Sequence, residues 1–85
     1  MIVIVLCRLR GRATKEDIEK VNKGIASEPT VKVLAFYWTL GRYDQVLIAD
    51  GPDEKTIMKM LLKAGEYATT ETMVAIPREE AMKLL

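Results

Sequence analysis

Alternation and helical periodicity divide the chain into a series of short elements. Residues 2–9, IVIVLCRL, are β-branched and aliphatic and predict a strand. After a loop at residues 10–13, Thr14 opens T-K-E-D, a capping-box pattern with Asp17 in the place usually held by Glu or Gln. Ile18, Val21 and Ile25 then recur at helical spacing and make one apolar stripe, which Ser27-Glu28-Pro29 ends. Residues 31–40 and 44–50 read as two further strands. Gly51-Pro52-Asp53-Glu54 starts a second helix, with Ile57, Leu61 and Ala64 as its stripe and Gly65 as its stop. Residues 68–76 are a fourth strand, and Pro77-Arg78-Glu79-Glu80 begins a short last helix that lacks a Ser or Thr cap. The order βαββαβ predicts an α+β, ferredoxin-like fold: a four-stranded antiparallel sheet, both main helices on one face, and a C-terminal helical tail.

Residues 36–46, FYWTLGRYDQV, gather the only Phe, the only Trp and two of the three Tyr. A two-residue loop at Gly41-Arg42, with Gly supplying φ > 0 in a type II′ turn, pairs Leu40 with Tyr43, Trp38 with Gln45 and Phe36 with Leu47. One face then carries Leu34, Phe36, Trp38, Leu40, Tyr43, Gln45 and Leu47, while Val33, Ala35, Tyr37, Thr39, Asp44, Val46 and Ile48 share the other. On this register Trp38 and Tyr43 lie together, and Tyr37 points towards the helices. The first strand is equally two-sided, with Val3, Val5, Cys7 and Leu9 against Ile2, Ile4 and Leu6. Two helices cover one side only. The bare apolar side predicts sheet-to-sheet self-association, as a homodimer or an assembly of dimers.

Composition narrows the chemistry. The 85 residues, 49% hydrophobic and 29% charged, predict one globular domain over residues 1–85. The formal charge of +1 recommends neither a nucleic acid nor a membrane as partner. The opening MIVIVLC is too short to span a bilayer, so the expected location is cytoplasmic. The lone Cys7 reads as a small buried hydrophobe. With no His in the chain, His-ligated haem, His-based zinc sites and imidazole bases are excluded, and neither a metal nor a cofactor is expected. Asn22 and Gln45 are the only side-chain amides among many Lys, Arg and Glu, which leans towards a thermophilic source.

Several residues carry two readings. Asp44 bonds backbone N–H groups or Arg42 across the turn, or serves as a carboxylate base, with Tyr43 beside it as a second catalytic candidate. Trp38 and Tyr43 anchor an interface, or line a pocket for a flat organic ligand. Gln45 interrupts an apolar strand and needs a hydrogen-bond partner if buried, which makes it the sharpest pointer to a polar site. Arg8 or Arg10 pairs with Glu71 on the neighbouring strand; the alternative is an anion site built from Arg8, Arg10 and Arg12 before the first helix. Met58 and Met60 read as packing or surface residues.

Tyr37-Trp38-Thr39-Leu40-Gly41-Arg42-Tyr43-Asp44, with the strand after it and the helix start at Pro52-Asp53, resembles the GYD-domain family of small prokaryotic proteins. That family is named for the Gly, Tyr and Asp matched by Gly41, Tyr43 and Asp44. The resemblance continues through Thr70-Glu71-Thr72 and the terminal Pro-Arg-Glu-Glu. It implies a dimeric α+β barrel, in which ferredoxin-like protomers join through their sheets, and it implies no settled activity. Two function classes follow. One is a homo-oligomeric module that binds a small organic ligand at Trp38, Tyr43, Gln45 and Arg8, with no catalysis evident. The alternative is a cofactor-independent enzyme, of oxygenase or isomerase type, acting on a small molecule, aromatic ones included. RNA recognition shares the βαββαβ order but stacks bases on aromatics of the first and third strands. The first strand here has none.

Overall fold

A computed structural model describes residues 1–64 and 66–85. The elements run β1 (Ile2–Leu9), α1 (Lys15–Ala26), β2 (Lys32–Trp38), β3 (Gln45–Asp50), α2 (Glu54–Lys63), β4 (Ala68–Ala75) and α3 (Arg78–Met82). The four strands form one antiparallel sheet in the order β2-β3-β1-β4. This is the α+β, ferredoxin-like arrangement that the element order predicts.

Local chemistry sets the helix starts. At α1 the Asp17 N–H donates to Thr14 Oγ1 at 3.1 Å, and the Thr14 N–H donates to Asp17 Oδ2 at 3.0 Å, so Asp completes the box. At α2 the Thr56 N–H donates to Asp53 Oδ1 at 2.8 Å, and hydrogen bonding from the Thr56 side chain, with that backbone bond second, holds the Asp53 carboxyl below its usual range. Pro77 gives α3 no side-chain cap. The stop expected at Gly65 lies outside the described residues.

α1 and α2 cross closely at Gly24. A Cβ there would stand 2.9 Å from the Ala64 backbone nitrogen, so only glycine fits without moving the other helix. Lys63 reaches back to Glu28 at 3.2 Å and ties the end of α2 to the turn after α1. Beneath the helices Val3, Val5, Cys7, Leu47 and Ala49 meet Ile57 and Met60 in a single buried cluster. Each large aliphatic side chain so buried contributes about 1.5–3 kcal/mol.

The expected register holds inside the β2–β3 hairpin: Trp38 opposes Gln45 and Phe36 opposes Leu47. A shift between Val33 and Ala35 then sets Val33 opposite Ala49, so Leu34 is the extra residue of a bulge. The assignment of faces is corrected. Phe36, Trp38, Gln45 and Leu47 share the helix side with Cys7 and Val5. Tyr37 does not point to the helices; it pairs with Val46 on the open side and is 61% exposed. Both faces of the hairpin are apolar, and the position of the helices, not polarity, decides which one is covered. The open face carries Ile2, Ile4, Leu6, Val46, Ile48, Tyr37 and Met73.

Candidate functional site

The sharpest polar signal in the strands becomes the floor of a cavity. Gln45 is 1% exposed and is the one buried polar side chain among the described residues. It lies opposite Cys7 on β1 and Trp38 on β2. Its Oε1 accepts a hydrogen bond from the Tyr67 hydroxyl at 2.6 Å. Its amide nitrogen donates to none of the described residues, yet no fully buried side-chain polar atom among them lacks a partner. Gln45 itself lines the adjoining space.

That space is a cavity of about 220 Å³ between α1 and the sheet, lined by Ile18, Val21, Asn22, Phe36, Trp38, Gln45 and Tyr67. Val21 and Gln45 are buried, Phe36 and Tyr67 half-buried, and Ile18, Asn22 and Trp38 form the exposed rim. A smaller cavity of about 40 Å³ adjoins it and shares Val21, Phe36 and Tyr67. Burial pushes the Tyr67 hydroxyl up from its ordinary pKa, with the neighbouring Cys7 adding to the effect. Tyr67 is thus a protonated donor rather than a base. Burial likewise raises the Cys7 thiol and keeps it inert.

The residues expected to bind a ligand do not all meet here. Trp38 and Gln45 do. Tyr43 does not share a face with Trp38: its hydroxyl donates to Glu71 at 2.7 Å, and Glu71 opposes Leu6 on the open side. The cause is Asp44. Its backbone N–H donates to the Cys7 carbonyl at 2.8 Å, and its carboxylate accepts the Leu9 N–H at 2.7 Å. Bound twice to β1, Asp44 breaks the alternation and sends Tyr43 across to β4. The loop is correspondingly longer than two residues. Its closing bond runs from the Thr39 N–H to the Asp44 carbonyl, and the Thr39 hydroxyl donates to the Tyr43 carbonyl at 2.7 Å. Gly41 has φ +136°, outside the type II′ region but still in the range that favours glycine.

Arg8 is exposed and lies opposite Thr69, away from the cavity. The expected ion pair between Glu71 and Arg8 or Arg10 does not form among the described residues; the Tyr43 hydroxyl takes that carboxylate, and Arg42 lies 5.8 Å from the Tyr43 ring centre. The Glu71 bond pushes the Tyr43 hydroxyl up as well. The alternative anion site before α1 meets an obstacle, because the Asp17 carboxylate already accepts the Thr14 N–H at that helix start. No cluster of three metal-ligating side chains occurs among the described residues, and no described helix is long and apolar enough to cross a membrane.

Tyr67 is the residue that sequence reasoning missed. The available signal was topological: with β1 between β3 and β4, Cys7 opposes both Gln45 and Thr70, which brings the start of β4 near Gln45.

A four-stranded antiparallel sheet with helices on one side and a cavity beneath α1 defines an α+β protein of ferredoxin-like class. The chain belongs to the GYD domain family, whose model matches residues 9–85. The three signature residues each have a structural task here: Gly41 in the loop, Tyr43 on β4 and Asp44 on β1. Among solved structures the chain is similar to a dimeric ferredoxin-like protein of unknown function from Thermobifida fusca YX, at 19% identity and a TM-score of 0.49, over 87% of this chain and 89% of that one. No curated protein matches it.

Proposed function

We propose that this GYD-domain chain is a self-associating α+β barrel module whose protomer holds a small, flat organic ligand beneath α1, without a reaction of its own. The observation that carries the reading is Gln45. An amide buried in an apolar row is costly unless its hydrogen bonds are met. Tyr67 meets the carbonyl end, and the nitrogen end has no partner among the described residues, on a side chain that lines the cavity. A ligand with one acceptor atom completes the set, while Phe36, Trp38, Ile18 and Val21 supply apolar walls for its ring. At about 220 Å³ the space suits one or two rings, below the usual range of drug-sized pockets.

The geometry favours this over a cofactor-independent enzyme. Asp44 and Tyr43, the catalytic candidates, are engaged outside the cavity, and Tyr67, the one titratable lining residue, holds its proton tightly. Self-association is supported by the open sheet face, where Tyr37 and Met73 stand among Ile2, Ile4, Leu6 and Ile48 with no cover.

Trp38 is the only tryptophan and stands at the rim, so its emission reports occupancy. Titration with coumarin, a flat ring bearing a carbonyl acceptor, should change that emission saturably, and Val21→Phe, which fills the cavity, should abolish the change. A non-saturating response, or one indifferent to Val21→Phe, would contradict the reading.

A further inference from the structure

The last ten residues of the chain form an arm that its own protomer does not use. Among the described residues no hydrogen bond or ion pair ties α3 to another element, and Ile76, Met82, Leu84 and Leu85 are all exposed, Leu84 at 79%. Yet the arm is ordered as helix: the N–H groups of Glu80 and Ala81 donate to the Pro77 carbonyl, and those of Lys83, Leu84 and Leu85 continue the series. Helices shorter than about 12–15 residues are marginal in water without tertiary packing, and α3 has five residues. The projection also shows in the dimensions. A compact chain of this length has a radius of gyration near about 12 Å; the observed value is 13.5 Å, with a long axis of 44 Å.

We propose that residues 76–85 are an exchange arm that packs on a second copy of the chain. The inference rests on the reading that the protein self-associates through its open face. The arm is the direct continuation of β4, whose Met73 and Ala75 oppose Ile4 and Ile2 on that face, so a copy seated there also meets the arm at its root. Size argues the same way. Four strands about 4.8 Å apart and about seven residues long give a footprint of roughly 450 Å² before side-chain relief is counted. A standard interface takes about 800 Å² from each partner. The sheet face alone makes a small contact, and the arm enlarges it with four large apolar side chains.

The test is sedimentation equilibrium on the full chain and on the triple variant Met82→Asp, Leu84→Asp, Leu85→Asp, with a chain ending at Ile76 as a second form. No hydrogen bond ties the arm to the sheet or the two main helices, so both forms should still melt cooperatively, and the shortened chain should lose only the helical signal of α3 itself. Both should raise the dimer dissociation constant at least tenfold. A wild-type dimer whose dissociation constant is unchanged in both forms overturns the arm and leaves the open-face dimer standing. That includes the case in which the arm folds back into its own apolar groove, lined by Met1, Ile57, Met58 and Val74, and removing it lowers only the melting temperature. A full chain that stays monomeric throughout overturns the self-association reading itself.

Discussion

On the helix-covered side of the sheet Tyr67 donates to Gln45 at 2.6 Å, and on the open side Tyr43 donates to Glu71 at 2.7 Å. The two bonds are nearly equal in length, and each joins β4 or its start to β3 or its start across β1. Their surroundings differ. Gln45 is 1% exposed, so its carbonyl oxygen finds little solvent to replace the Tyr67 hydroxyl if Tyr67 is lost. Glu71 is exposed and can be solvated in place of Tyr43. Length therefore says little about worth, and burial says a great deal. The inner pair supports a core and a cavity; the outer pair positions a loop.

Substitutions can break this contrast, and the largest effect belongs to Gln45. Gln45→Ala removes the acceptor for Tyr67 and enlarges the cavity, and should cost about 2–3 kcal/mol in urea unfolding. Tyr67→Phe keeps the ring but leaves the Gln45 carbonyl without its donor, at a cost of about 1 kcal/mol. It should also flatten the alkaline loss of stability. The folded Tyr67 holds its proton more tightly than the unfolded chain, whose reference value is 10.0. Its contribution is therefore complete below pH 10.0 and is lost as pH rises through the raised folded value. Melting scans above pH 10 should fall less steeply in Tyr67→Phe than in the parent. Smallest is Tyr43→Phe, which should leave the urea midpoint unchanged at neutral pH. A Tyr43→Phe effect as large as that of Tyr67→Phe would erase the distinction between the two sides.

Much of this fold was legible because its signals are local. The Thr14 and Asp17 box lies within one turn of helix, and the strand alternation sets Trp38 against Gln45 and Phe36 against Leu47. Alternation gives parity, however, and not side. With apolar residues on both faces of β2, nothing nearby says whether Tyr37 or Trp38 meets the helices. The misplacement of Tyr43 has a longer-range cause, since Asp44 is turned by bonds to Cys7 and Leu9 on β1, some 35 residues away in sequence. Tyr67 was hidden for the same reason: its partner lies 22 residues earlier and meets it only through the strand order. Gln45 was visible as an anomaly, because a lone amide in an apolar strand needs an explanation wherever it points.

The open face is the claim on which the rest depends, and one position tests it most directly. Ile4 sits at its centre, opposite Ile48 on β3 and Met73 on β4. Ile4→Lys places a charge where a second sheet would lie, while the helix-covered core keeps its contacts. Sedimentation equilibrium should find the wild-type chain dimeric at micromolar concentration, and Ile4→Lys monomeric with an unchanged circular dichroism spectrum. A wild-type monomer across that range, or an Ile4→Lys protein that remains a dimer, would contradict the account.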